Sequence, residues 1–253
     1  MLRISIITPS YNQGRFIEQT IKSIVDQNYP NLEYFILDGG STDDTVKIIK
    51  KYAAQYKFIK WRSHKDNGQV SAINEGLSKA TGDIIAYINS DDYYLPGSFN
   101  AVSQYFQSHT DVLWLYGNCE VTDPKLKWTF FLKNLWPVHK YPFALKVFNT
   151  INQPAVFLSK KLVKQVGKFN SHYKYAFDYD YWLRCHRLAL PRRLSQILAV
   201  FRVHSTAKGN QGFLKQFQES LEVISQNTSN KLIVLVHSLG CKIAIAGYKL
   251  IKS

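Results

Sequence analysis

Short β-branched apolar runs alternate with stretches of helical period along the first 122 residues. "RISIIT" (3–8), "LEYFILD" (32–38), "FIKWRS" (58–63), "DIIAYINSD" (83–91) and "VLWLYGNCEVT" (112–122) have the length and composition of strands. Between them, 15–27 places Phe16, Ile17, Thr20, Ile21, Ile24 and Val25 on one helical face, and 42–56, 69–80 and 97–107 are expected helices. This order predicts βαβ units: an α/β, Rossmann-like fold with a mostly parallel central sheet and helices on both faces. After 122 the pattern loosens into aromatic, basic sequence. A strand and helix are expected within 151–170, and a further helix within 175–190 carries Asp178 and Asp180 near its start.

Composition narrows the picture. A chain of 253 residues with 45% hydrophobic and 14% aromatic residues buries a substantial core. Its net charge of +14 suits a polyanionic partner, either nucleic acid, anionic lipid or a phosphorylated metabolite. Three scattered cysteines without a CxxC suggest neither a zinc site nor a disulfide framework, and fit a reducing cytoplasm. The apolar run at the N-terminus is broken too soon by Pro9 for a signal peptide.

In parallel sheets ligands sit beyond the carboxyl ends of the strands. Four loops occupy that place: 8–12, 38–41, 64–68 and 89–92. The last holds Asp91 and Asp92 where an apolar strand surfaces, before Pro96–Gly97. The pair either caps the next helix or holds a cation against phosphate oxygens, as hard Mg²⁺ or Mn²⁺ would be held.

The stretches "ISIITPSYNQGRFIEQTIKSIVDQNYPNLEYFILDGGSTDDT" and "DNGQVSAINEGLSKATGDIIAYINSDD" strongly resemble glycosyltransferase family 2, inverting nucleotide-sugar-dependent enzymes of GT-A fold. The likeness resumes at "FDYDYWLR" and "FRVHS". It implies a transferase domain over 1–205, with a nucleotide-sugar-binding half (1–120), an acceptor-facing half (121–205) and a helical extension over 206–253. Asp91 and Asp92 match the family's metal-binding acids, with Asn89 standing where the first acid often is; this leaves Asp91 as the better metal ligand and Asp92 as either a ligand or a ribose contact. Pro9, Tyr11, Asn12, Asp38, Asp66 and Gly68 match nucleotide-binding loops, Tyr11 as an aromatic wall and Asp38 as a reader of the base. Asp178 aligns with the catalytic base and Asp180 is the fallback, although Phe177 replaces a common Glu. His204 matches a position that reaches metal or diphosphate, the alternative being an ordinary packing residue. Lys208 either neutralises phosphate or is solvated. The implied cofactor is Mn²⁺ or Mg²⁺, the donor a UDP-sugar, and the acceptor a glycan or lipid-linked saccharide.

The tail, 231–253, mixes Leu, Ile and Val with lysines, and either lies on an anionic membrane surface or packs on the domain. Its "LVHSLGC" has a partial likeness to a G-x-S-x-G nucleophile elbow, but too little chain follows for the remaining triad. Specific nucleic-acid binding is not expected. The competing class is a non-catalytic protein that binds nucleic acid or lipid on a degenerate transferase fold.

Overall fold

The two strands that carry the first two loops, β1 (Ile4–Ser10) and β2 (Leu32–Asp38), are buried at all seven positions each. Such runs need helices on both faces. In the computed structural model, which describes residues 1–122, 138–208 and 212–252, they lie parallel from Ile4↔Leu32 to Ser10↔Asp38. β3 (Ile59–Ser63) pairs with β2, and β4 (Ile84–Tyr87) with β1, both parallel.

The pleat sends alternate side chains to opposite faces. Ile4, Ile6, Tyr34 and Ile36 meet α1 (Ile17–Val25), α2 (Thr45–Gln55) and α4 (Ser98–Ser108). Ile7, Phe35 and Leu37 meet α3 (Gln69–Lys79) and the helix Phe177–Leu188 of the second half. Gly76 lets α3 lie flush on β1, since a Cβ there would stand 2.5 Å from Ile7 Cγ2.

The second half of the sheet is mixed. β6 (Trp114–Val121) and β7 (Val156–Ser159) are antiparallel neighbours, and β7 joins β4, also antiparallel. β8 (Arg192–Phe201) runs parallel to β6, with register shifts around Asn118, and the two-residue β5 (Tyr93–Tyr94) lies on its outer edge. The order is β3-β2-β1-β4-β7-β6-β8-β5. The expected parallel arrangement therefore describes the β3-to-β4 half, and antiparallel pairs enter beyond β4.

The remaining helices are α5 (Ala144–Val147), α6 (Lys160–Val166), α7 (Phe177–Leu188), α8 (Phe213–Asn227) and α9 (Lys231–Lys252). Ser159 caps α6 by accepting a 3.1 Å bond from the Leu162 N–H. No helix among the described residues is long and apolar enough to cross a membrane. Ser238 lies within α9, so no nucleophile elbow forms there.

Candidate functional site

The fourth loop decides between cap and cation site. β4 ends at Tyr87, short of the expected 91, and 89–92 forms a turn closed by the Asp92 N–H on Asn89 O at 3.2 Å. Thr20 of α1 fastens this turn, its hydroxyl donating to the carbonyls of Ser90 (2.8 Å) and Asp92 (2.6 Å). The next helix, α4, begins at Ser98 after Gly97, so neither acid caps it.

The two carboxylates part company. Asp92 is buried, its Oδ1 accepting the Arg202 N–H at 2.9 Å. Burial first, then neighbouring Asp91, pushes its carboxyl well above the usual range against the pull of that N–H. Asp91 instead lines a cleft of about 830 Å³ and meets His204, with Oδ2 and Nε2 3.0 Å apart. His204 is held by packing against Phe16, the rings tilted 35° with centroids 4.2 Å apart, and by Nδ1 against Thr206 Oγ1 at 2.8 Å. Arg202 lies against Phe16 and Tyr93, its guanidinium 5.0 and 5.2 Å from their ring centroids.

Asn89 is the hub of an amide chain. Its Oδ1 accepts from Gln69 Nε2 at 2.7 Å, and its Nδ2 lies 3.4 Å from both Asp92 Oδ2 and Gln153 Oε1. Gln153 donates onward to Tyr87 O at 2.8 Å, and Lys208 donates to Gln69 Oε1 at 2.7 Å. An amide both donates and accepts, so it can relay such a chain; an ionised carboxylate only accepts. This explains physically why an uncharged residue serves at 89.

In the same cleft the register of β1 and β2 sets Tyr11 beside Gly39. A Cβ on Gly39 would lie 3.4 Å from both the Tyr11 ring and Asp66 Oδ1, which leaves a narrow slot flanked by an aromatic and an acid. Tyr11 is 61% exposed, unlike an ordinary core tyrosine. Pro9 lines the same cleft. Asp66 is fixed by Arg62 at 2.9 Å and accepts the Gly68 N–H at 2.8 Å. Gly68 precedes α3 at φ +93°, a conformation glycine adopts without strain.

Asp38 and Asn12 brace these loops. Buried Asp38 accepts from the N–H groups of Gly40 (3.0 Å) and Ser41 (2.9 Å) and from the Ser63 hydroxyl (2.6 Å). Asp38 thus closes the turn after β2, and, buried there, it does not line the cleft where a reader of the base was expected. Asn12, at φ +52°, bridges loops: its N–H donates to Ser41 Oγ at 2.7 Å and its Oδ1 accepts from Thr42 N at 2.9 Å.

Asp178 is half-buried in the first turn of α7, with Oδ1 accepting the Tyr179 N–H at 2.7 Å. Asp180 is buried and bound to Arg184 at 2.9 Å, and Arg184 also donates to the carbonyls of Val166 and Lys168. That commits Asp180 to structure. Trp182 is core, stacked with Trp114 at 5.9 Å. Lys208 links the cleft to α7: it lines the cleft, sits 5.4 and 5.7 Å from the Tyr175 and Phe177 ring centroids, and feels the charge of Asp178. Burial, foremost, with Lys174 beside it lowers its ammonium below the ordinary lysine value.

One residue of this arrangement had no sequence signal. Glu219 of α8 accepts the N–H groups of Lys174 (3.1 Å), Tyr175 (2.6 Å) and Ala176 (2.9 Å), three consecutive donors leading into α7. Ala176, the N-cap, supplies no side-chain cap; Glu219 instead fixes the stretch of backbone that enters α7, while Asp178 accepts the Tyr179 N–H inside the first turn.

Among the described residues no three His, Cys, Asp or Glu side chains gather as a metal cluster. The Asp91–His204 pair still fits Mn²⁺ or Mg²⁺, which take one or two protein ligands and complete their shell with phosphate and water.

The model of "Glycosyl transferase family 2" matches residues 5–162. An uncharacterised glycosyltransferase of Haemophilus influenzae is 25% identical over 252 residues, covering 96% of this chain and 77% of its own. One from Rickettsia typhi is 27% identical over 223 residues, covering 85% of this chain and 68% of its own. Among solved structures, S. aureus TarS 1–349 in complex with UDP-GlcNAc has a TM-score of 0.73 at 17% identity, over 89% of this chain and 66% of that one. The mannosyltransferase PcManGT of Pyrobaculum calidifontis, in complex with GDP-Man and Mn²⁺, has a TM-score of 0.69 at 18% identity, over 94% and 69%. The chain spans 39% of a longer TarS chain. The fold is GT-A, and the chain belongs to glycosyltransferase family 2.

Proposed function

We propose that this glycosyltransferase moves a sugar, with inversion, from a nucleotide-diphospho-sugar to a hydroxyl of a glycan or lipid-linked saccharide in polysaccharide synthesis. The observation that carries the reading is the cleft itself, lined by both an aromatic–acid slot and Asp91, against which His204 is held. The slot suits a planar base stacked on Tyr11 beside Asp66. Asp38 and Asn12 would serve the nucleoside by fixing the loops around it, and the Gly68 turn opens α3 toward phosphate. A UDP-sugar is favoured because the TarS complex holds UDP-GlcNAc in the same fold; PcManGT, with GDP-Man, is the reason to test guanine donors too.

Asp91 and His204 would hold Mn²⁺ or Mg²⁺, with Asp92 behind them fixing the turn through Arg202. Bound there, the cation supplies Lewis-acid stabilisation of charge on the departing diphosphate. Lys208, reaching across the cleft, adds positive charge on the diphosphate side. Asp178 accepts the acceptor hydroxyl's proton as that oxygen attacks the anomeric carbon, and the nucleoside diphosphate leaves from the opposite face. In this reading 1–120 is the donor half, 121–205 the acceptor half, and 206–253 a helical extension that braces the base.

A thermal-shift panel tests it: UDP, GDP, UDP-GlcNAc and GDP-mannose, each with and without Mn²⁺, followed by hydrolysis assays. Stabilisation by at least one sugar nucleotide that needs Mn²⁺ is expected. No stabilisation by any, together with tight salt-dependent nucleic-acid binding, would reverse the reading.

A further inference from the structure

The basic residues are unevenly placed. Residues 1–123 hold 11 Lys and Arg against 14 Asp and Glu, whereas 124–253 hold 21 against 4. From 124 to 177, and again from 223 to 253, the sequence contains no acidic residue. α5 lies in the first of these stretches and α9 in the second.

α9 presents distinct faces along its length. One docks on the protein: His237 is buried, with Nδ1 2.6 Å from Val147 O of α5 and Nε2 2.9 Å from Ser220 Oγ of α8. Buried Cys241 shares that face, and Gly240 lies flush on the Phe148 ring. At 100° per residue, Leu232, Leu235, Leu239 and Ile243 fall on a second, narrow stripe. They are 66, 56, 49 and 74% exposed. Lys231 and Lys242 are exposed along one flank of that stripe. The adjoining α5 segment exposes Phe143 and Phe148 with Lys140 and Lys146.

We infer that α9, together with the Phe148 edge of α5, docks the protein on an anionic lipid surface, lying in the interface with its leucine stripe inserted. A soluble polyanion would recruit the lysines but leave the stripe in water. A second copy would cover the stripe but bring lysines together, with no acid on either helix to pair with them. A bilayer interface satisfies both, taking apolar side chains below the headgroups and lysines among the phosphates. Both α9 and α5 belong to the strongly basic half, so its field points the same way. This inference stands independently of the sugar-nucleotide reading.

Co-sedimentation with vesicles tests it, using phosphatidylcholine alone and with about 30 mol% phosphatidylglycerol. The chain should bind the anionic vesicles, bind neutral ones at least about tenfold more weakly, and be released by roughly 0.5 M salt. Leu235→Ser with Ile243→Ser, at exposed positions, should weaken binding at least about tenfold. Lys231→Glu with Lys242→Glu should do the same. Both variants should keep the wild-type Tm and nucleotide-induced thermal shift, which separates this result from failure of the proposed reaction. Equal binding to neutral vesicles, no vesicle binding, or binding indifferent to both variants would overturn it. So would polyphosphate binding unaffected by the serine variant without vesicle binding. Concentration-dependent dimerisation abolished by that variant would assign the stripe to a second copy and overturn it also.

Discussion

His204 Nε2 stands 3.0 Å from Asp91 Oδ2, although 113 residues separate them in the chain. The contact joins the segment after β8 to the turn after β4, and it pairs the two side chains proposed above to hold a divalent cation. Asp91→Asn and His204→Ala should each weaken Mn²⁺-dependent UDP binding at least about tenfold. In the double variant the thermal shift from UDP should no longer respond to Mn²⁺. Full metal-dependent stabilisation in both single variants would remove these residues from the metal site.

Asp178→Asn should lower kcat by about 10²–10⁴-fold while leaving the UDP thermal shift in place. Asp180→Asn is the contrast. It strips Arg184 of its buried partner, so its main effect should be a lower Tm, by about 1–3 kcal/mol of stability. A variant of Asp178 that loses nucleotide binding together with turnover would count the residue as structural.

Glu219 acts at one remove. Its carboxylate gathers the three N–H groups that lead into the helix carrying Asp178, so Glu219→Ala should loosen the seating of the base. With the donor that stabilises the protein best, kcat should fall about tenfold with little change in donor KM. Combined with Asp178→Asn, the same substitution should cost almost nothing further, because the positioned group is already gone. An equal loss in both backgrounds would mean a general weakening of the fold.

Glu33 sets part of the acid stability. Burial alone would raise its carboxyl, but hydrogen bonds from the Thr81 N–H, Lys60 and Ser5 outweigh burial and hold it down at about 2. The folded value lies below the unfolded one of about 4.3, so its contribution is complete above that pH and fades as pH falls toward 2. Glu33→Gln should lower Tm by ~5 °C at neutral pH, and the gap to wild type should narrow steadily as pH falls from about 4 toward 2. Melting curves from pH 7 to 2.5 would show a constant gap if the charge of Glu33 were irrelevant.

The first half of the chain was legible because its signals are local. β1 and β2 are continuous apolar runs, α1 has a clean helical period, and the loops between them carry polar residues at strand ends. β8 was harder to see: its first six residues, Arg192–Ile197, are exposed or half-buried, and its register with β6 shifts around Asn118. The resemblance singled out Asp91 as the better ligand, and Asp91 lines the cleft; the bond from the Arg202 N–H that holds Asp92 away from it left no local signal. Glu219 serves the backbone of a segment more than forty residues earlier, an interaction that leaves no periodicity or spacing to read.

The level pairing of β1 and β2, Ser10 opposite Asp38, does more than close the sheet. Tyr11 and Gly39 are the next residue on each strand, so the slot between them is measured out by a ruler of seven matched positions. One residue inserted or deleted in either strand would offset its rim by about 3.3 Å and turn every side chain beyond the change to the opposite face. Length changes in these strands should therefore be barred.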